Sequence, residues 1–353
     1  MKNPYVGRPR SAFWESGVAK ASSPVPEDFY RPKWEIPKTA RIVTAGSCFA
    51  QHIGRRLSAS GFAIVDAEPA PELLPAEHRQ AFHYGVYSAR YGNIYTARQL
   101  RQLVDEALDG PVRHIIWKAG DGYVDALRPQ IEPEPLATAE LVRIHRERHI
   151  ERVRLMLENA DLLIFTFGLT EAWEDVETGS VLPIVPGTRA GGSFDPDRYA
   201  FHNFTHAQVM EDFLAVYERL LSLRPDIRFL VTVSPVPLVA TAIDRHVQVS
   251  TIYSKSVLRA VAGELSDRYE NIDYFPSYEI ITSPWSGSCF YGPDMREVTV
   301  EGVSNVMQTF MSARGEIFSA ASTSETALIS VAADEADDMA VVCEEELLEA
   351  FGR

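Results

Sequence analysis

Three short stretches of the chain hold residue types that can attack a substrate or bind a ligand. The first is Ala45-Gly46-Ser47-Cys48-Phe49-Ala50. A glycine there brings the chain into a tight turn, and Ser47 falls at the start of the helix that follows. At such a position the serine's own amide points outward and the helix dipole favours negative charge. That suits a nucleophile whose backbone N–H also stabilises an oxyanion. Serine is equally suited to capping the helix, and the spacing leaves both roles open. The second stretch, Tyr91-Gly92-Asn93-Ile94-Tyr95-Thr96, offers a bare glycine amide and an amide side chain. The third, Phe167-Gly168-Leu169-Thr170-Glu171-Ala172-Trp173, sets a hydroxyl, a carboxyl and an indole close together, and each stretch alone also fits simple turn chemistry.

Other groupings are weaker. His145 and His149 stand at i and i+4, a legal metal-ligand spacing, but Arg143, Arg146, Arg148 and Arg152 surround them and repel a cation. The expectation there is a solvated basic helix face and no metal. Cys48 is one residue past the helix-start position and reads as a small buried hydrophobe. Gly168 and the Gly191-Gly192 pair lie outside any phosphate-cradling pattern, so no nucleotide or other cofactor is expected. Trp173 reads as a sugar-stacking platform or as core.

Alternating strands and helices must position these residues. A β-rich run over 41–45 ends at Gly46, and Ile53 and Leu57 give helical spacing over 49–60. A strand is expected over 62–65. Thr96 and Gln99 form a capping-box pattern ahead of a helix, as do Thr205 and Gln208. A long charged helix spans 140–159. Continuous apolar runs over 162–167 and 229–233 read as buried strands, with a helix over 249–266, a short strand over 272–275 and a closing helix over 300–311. Strands separated by helices pair in parallel, which predicts a three-layer α/β/α sandwich over about 41–314. In such sheets ligands gather at the carboxyl ends of the strands, where the three stretches lie. The Ser234-Pro235-Val236-Pro237-Leu238 loop is expected to shape a pocket wall. Six prolines within 1–40 leave no regular element there, and this segment reads as an arm packing on the domain.

The stretches above, with Ser254-Lys255-Ser256 and Tyr274-Phe275-Pro276-Ser277-Tyr278-Glu279, resemble the GSCFA family in an ordered set over most of 4–312. That family is similar to the SGNH (GDSL-like) hydrolases. The resemblance implies a serine-dependent ester hydrolase or O-acyltransferase acting on a carbohydrate or related small molecule. Ser47 would attack, Asp294 would orient the base, and the Ser47 and Gly92 amides with a third-loop side chain would hold the oxyanion. Two departures stand out. Thr170 replaces the expected Asn, so Asn93 or Asn203 is a candidate donor in its place. Asp294-Met295-Arg296-Glu297 puts Glu297 where a His would stand, and His246 is the last histidine in the chain. A carboxylate is a poorer acceptor for a serine proton than imidazole, unless burial beside Asp294 raises its pKa. The remaining sources of a base are His246, His202 and His206. The alternative is a catalytically degenerate protein that binds a glycan or acyl ligand with Glu171 and Trp173 in its cleft wall.

Composition bounds the partners. The 353 residues are 46% hydrophobic and 24% charged, an ordinary globular mix. No apolar run is long enough to span a bilayer, and no secretory leader is visible at the start of the sequence. Three cysteines outside any C-x-x-C pair favour the cytoplasm. With 49 acids against 34 bases the net charge is −15, which argues against nucleic acid as a partner. Nine acids against one base in 321–353 give −8, leaving −7 for the rest. The 315–353 tail therefore reads as a flexible acidic extension, or as a short helix that docks on a protein partner.

Overall fold

The computed structural model describes residues 3–21, 25, 28–314 and 343–352. Their contacts divide into two compact units, one within Met1–Glu35 and Phe275–Ala340, the other within Ile36–Tyr274 and Val341–Arg353.

The larger unit runs β1 (Ile42–Gly46), α1 (Phe49–Ala59), α2 (Ala76–Arg79), α3 (Ala97–Leu108), β2 (Ile116–Ala119), β3 (Gly122–Asp125) and α4 (Ala139–Asn159). It continues with β4 (Leu162–Phe167), β5 (Glu171–Asp175), β6 (Ser180–Leu182), β7 (Tyr199–Asn203) and α5 (His206–Leu223). The last elements are β8 (Arg228–Val233), α6 (Val247–Arg268) and β9 (Ile272–Tyr274). The central sheet is parallel in the order β1-β4-β8-β9. Helices flank it, giving the expected three-layer α/β/α fold. The apolar runs of β4 and β8 become strands buried on both faces, as a sheet covered by helices requires.

The strand expected over 62–65 shrinks to one parallel bridge, Ile64 to Ile42. That stub still matters. With β4 on its other side, β1 becomes an interior strand, and the chain reverses its direction of travel across the sheet there. The crevice of such a sheet opens beside the carboxyl end of β1, where Ser47 begins.

Two small antiparallel sheets decorate the same unit, the β2-β3 hairpin and a β6-β5-β7 sheet. The second corrects the reading of 171–173 as loop, because Glu171 and Trp173 lie on β5 and pair with Asn203 and Phe201 of β7. Both capping boxes form. Thr96 accepts from the Gln99 amide at 3.2 Å while Gln99 Oε1 accepts from the Thr96 and Tyr95 amides, each at 3.0 Å.

Helix α4 keeps Arg143, Arg148 and Arg152 on an exposed basic face, but corrects the expectation at two residues. Arg146 and His149 turn inward and are buried. Arg146 reaches Glu106 and, at 3.6 Å, Asp125. Asp125 also holds Arg128 at 2.9 Å. His149 Nδ1 lies 2.6 Å from Glu68 Oε2, whereas His145 leans towards Glu132 at 3.4 Å, so the two histidines have separate partners. The apolar residues Val142, Ile150, Val153 and Met156 share the inward face, which is why these two polar residues are carried inside.

In the smaller unit, α7 (Ser277–Thr282) precedes α8 (Val300–Ser312), whose N-cap Thr299 accepts from the Gly302 amide. Tyr30 packs edge-on against Phe275 and stacks with Phe310. Among its described residues, the proline-rich beginning holds a 3-10 turn over Arg10–Ala12 and a π turn over Glu15–Ala19.

Candidate functional site

Ser47 follows β1 and its carbonyl accepts the first helical bond, from the Ala50 amide at 2.8 Å. The turn depends on Gly46. Its φ is +141°, and a Cβ there would stand 2.5 Å from the Thr166 carbonyl oxygen. Ser47 is only 3% exposed, and its hydroxyl has no hydrogen-bond partner among the described residues. Buried hydroxyls are normally paired, so this one invites a functional explanation. The Ser47 amide donates to the Thr166 carbonyl at 3.3 Å, a long bond that must give way before the amide can serve an oxyanion.

Backbone contacts lock the three loops together. Ile94 N–H donates to the Gly46 carbonyl at 2.8 Å, which seats the Gly92-Asn93 turn against the Ser47 loop. Gly168 and Leu169 amides both donate to the Tyr95 carbonyl, at 3.0 and 2.9 Å. Gly168 is pressed so close that a Cβ would lie 2.8 Å from Ser47 Cβ. Helix α6 braces the third loop from behind. Lys255, 1% exposed, donates from Nζ to the Gly168 carbonyl at 2.7 Å, and Ser254 Oγ accepts from the Thr170 amide at 3.0 Å.

Asn93 is the side chain best placed to donate into this site. Its Oδ1 accepts from the Tyr87 hydroxyl and from Gln51 Nε2, the latter at 3.3 Å. Gln51 also donates to the Tyr87 hydroxyl at 2.7 Å. With Oδ1 held, Nδ2 is turned the other way, where it donates to Glu344. Thr170 is differently occupied, because its hydroxyl donates to Asn203 Oδ1 at 2.7 Å. The Thr170 hydroxyl proton is thus committed to Asn203 Oδ1, and the Nδ2 groups of Asn93 and Asn203 remain as candidate donors.

Glu171, Trp173, Leu169, Thr241 and Leu238 line a cleft of about 740 Å3, open mouth included, which begins at Tyr95. Burial raises the Glu171 pKa, while a 2.8 Å bond from the Thr241 hydroxyl works against that rise. Trp173 meets Phe194 and Phe201 edge-on, at 5.2 and 5.5 Å between ring centroids. The indole thus serves as both packing and cleft wall. Leu238, from the proline-rich fourth loop, lines the cleft as expected.

The proposed base residues lie apart from this cluster in character. His246 is exposed, and its Nδ1 accepts the Gln248 amide at 3.1 Å as the N-cap of α6. His202 pairs with Glu174 at 2.9 Å and His206 with Glu264 at 3.1 Å. Asp294 and Glu297 belong to the smaller unit and are both exposed. Asp294 Oδ1 accepts from the Arg296 and Glu297 amides at 3.1 and 3.0 Å, holding a turn in which Met295 has a φ of +58°.

One side chain in the site had no signal in the local sequence. Residues Glu344–Phe351 form a 3-10 helix, and Glu344 is 2% exposed. Its Oε2 accepts from Tyr95 Oη at 2.8 Å as well as from Asn93. Its Oε1 lies 3.4 Å from where a Cβ on Gly92 would stand. The tail was expected to be flexible. Its stretch 315–342 lies outside the described residues, while its end is seated in the site. Gln51 and Tyr87 were also missed, although Gln51 sits one helical turn after Ser47.

A family model described as the GSCFA family matches residues 41–310. The chain belongs to the GSCFA family. The match begins one residue before β1, so it takes in all three loops, α6 and the Asp294–Glu297 turn. Among curated proteins none matches the chain. Among the described residues no helix is long and apolar enough to cross a membrane.

Proposed function

We propose that this GSCFA protein is a serine-dependent ester hydrolase or O-acyltransferase, built on an SGNH-like domain over about 41–314. The observation that carries it is the unpartnered buried hydroxyl of Ser47, held against a loop whose Asn93 amide is oriented by Gln51 and Tyr87. Ser47 Oγ attacks the acyl carbon. The Gly92 N–H and Asn93 Nδ2 then face the oxygen on which negative charge develops. Gln51 and Tyr87 are positioning residues, since they act through Asn93. The Glu171–Trp173 cleft receives the acyl acceptor, for which an aromatic face and a carboxyl suit a carbohydrate or related small molecule. The proton from Ser47 passes to a base outside the buried cluster, and His246 of the same unit is the proposed acceptor. Cys48, Cys289 and Cys343 form no disulfide among the described residues, which is compatible with the cytoplasm as its location.

A fluorophosphonate probe is the direct test, because it reports nucleophile activation without knowledge of the substrate. Covalent labelling at Ser47 that disappears in Ser47→Ala is the expected result. Asn93→Ala should slow it by about two orders of magnitude, as removal of one oxyanion donor does. Equal labelling of wild type and Ser47→Ala sinks the reading. The absence of any bonded base at Ser47 among the described residues favours a second reading, a degenerate site that binds a glycan or acyl ligand. It predicts saturable glycan binding that survives Ser47→Ala.

A further inference from the structure

The C-terminal segment is seated like a ligand. Glu344 has hydrogen bonds to Asn93 and Tyr95, and it is joined to Tyr95 a second time by its own amide, 3.2 Å from Tyr95 Oη. Cys343 is buried beside the same phenol, at 3.8 Å. Beyond them Leu347 and Leu348 pack on the apolar cluster that contains Trp117, Leu182 and Ile184, and Leu348 and Glu345 form part of the wall of the Trp173 cleft.

The donors that meet Glu344 are informative. Two other deeply buried carboxylates each have a cation against them: Glu106 has Arg146, and Asp125 has Arg128. Glu344 has no ion pair among the described residues and is held by neutral donors, an amide and a phenol. Burial accordingly raises its pKa, and the bonds from Asn93 and Tyr95 only partly offset that rise. A permanent structural carboxylate is normally paired with charge. Neutral donors converging on one point are what a site offers to a carboxyl group or a developing oxyanion that comes and goes. Ser47 Oγ is not bonded to Glu344, so the geometry does not make Glu344 the base.

We propose that Gly92, Asn93 and Tyr95 form a carboxylate-binding subsite, that Glu344 is its built-in occupant, and that a small aliphatic carboxylic acid takes the same place when the C-terminal segment leaves. The proposal rests on the Ser47 reading only in naming that acid as the product side of ester cleavage. Glu345 and Leu348 of the seated segment stand in the wall of the Trp173 cleft beside Tyr95, so departure of the segment would widen that cleft.

The test uses the full chain carrying Cys289→Ser, which leaves Cys48 and Cys343 as the remaining thiols, both buried. Maleimide modification of Cys343, read on its own peptide by mass spectrometry, reports departure of the segment. Glu344→Ala should speed this modification by about tenfold, the effect of losing a hydrogen bond to a charged group. Tyr95→Phe, which leaves the tail intact and keeps the ring in the core, should act in the same direction. Butyrate added to the unsubstituted tail should speed it too, and butyramide should not. If Cys343 stays equally protected in both variants and with butyrate, the subsite is refuted. Fluorophosphonate labelling of Ser47 separates the two readings. Faster labelling in Glu344→Ala supports the subsite, and labelling lost in Glu344→Ala with Cys343 still protected makes Glu344 a catalytic group and overturns it. Open Cys343 with no Ser47 labelling in any variant upholds the subsite and removes the hydrolase reading.

Discussion

Two regions of the larger unit bury polar side chains, and they do so in opposite ways. Under α4, Arg146, Glu106, Asp125 and Arg128 are matched charge against charge, and the His149 imidazole is hydrogen-bonded to the Glu68 carboxylate. At the carboxyl end of β1, Ser47 Oγ is left without a partner and Asn93 is aimed at a residue from the far end of the chain. Burial of a polar group without a partner costs free energy, and a fold retains it where something else gains. The α4 cluster keeps one unpartnered atom, His149 Nε2, but its charged groups are paired, whereas the candidate site leaves a nucleophilic hydroxyl open. Both regions rest on helices that follow or precede buried strands, so the difference lies in the partners and not in the depth of burial.

Breaking the α4 network should have the largest effect on stability. Arg146→Ala leaves Glu106 and Asp125 buried with too little positive charge, and a loss of about 3–5 kcal/mol is expected in urea unfolding. Labelling of Ser47 in the fraction that remains folded should be unaltered. A loss below about 1 kcal/mol would mean that water already screens the network.

Acid should expose the same region next. Burial, reinforced by Arg128, lowers the His149 pKa to about 4. Burial pushes the Glu68 carboxyl upward, but His149 and Arg128 outweigh it and hold it at about 2. At neutral pH the imidazole is therefore neutral and donates from Nδ1 to the carboxylate. Between pH 6.5 and about 4 the unfolded chain binds a proton at this histidine and the folded chain does not, so stability falls as pH falls. Glu68 adds a fall of the same sign between its ordinary value and about 2. His149→Gln should remove about 1.4 kcal/mol per pH unit from the slope between 6.5 and 4. His52 and His83, both lowered to about 4 chiefly by burial, leave a residual slope of the same sign. An unchanged slope in the variant would show that His149 is protonated in the fold.

The smallest effect, and the sharpest contrast, is expected at Ser47. Removing an unpartnered buried hydroxyl relieves desolvation, so Ser47→Ala should leave stability unchanged or raise it by about 1 kcal/mol. A loss of more than about 1 kcal/mol would mean that the hydroxyl has a structural partner, and the comparison between the two regions would fail.

Much of the frame was legible because it depends on local rules. The apolar runs before Gly168 and Ser234 are strands since only a sheet covered on both faces buries them, and both capping boxes form where Thr and Gln stand three apart. The strand at 62–65 shortens to a stub, because its residue types suit a strand while only Ile64 forms a bridge, with Ala63 and Val65 bonded to Ile42 on either side of it. The β5 strand was missed, because Glu171-Ala172-Trp173-Glu174-Asp175 reads as polar turn chemistry and becomes a strand only through its pairing with β6 and β7. Arg146 and His149 were placed on the wrong face by their charge. Their acidic partners come from α3, β3 and the segment after β1, and local spacing carries no trace of them.

By itself the sequence determined the strand–helix alternation, the family, and the serine at the first strand's carboxyl end, since each follows from short-range pattern or an ordered set of motifs. Only the tertiary structure decided which side chains are satisfied. It pairs Thr170 with Asn203, fixes the Asn93 amide through Gln51 and Tyr87, and seats Glu344 on Gly92, Asn93 and Tyr95. A hydrogen bond across 251 positions leaves no periodicity in the chain, because its donor and acceptor are brought together by packing alone.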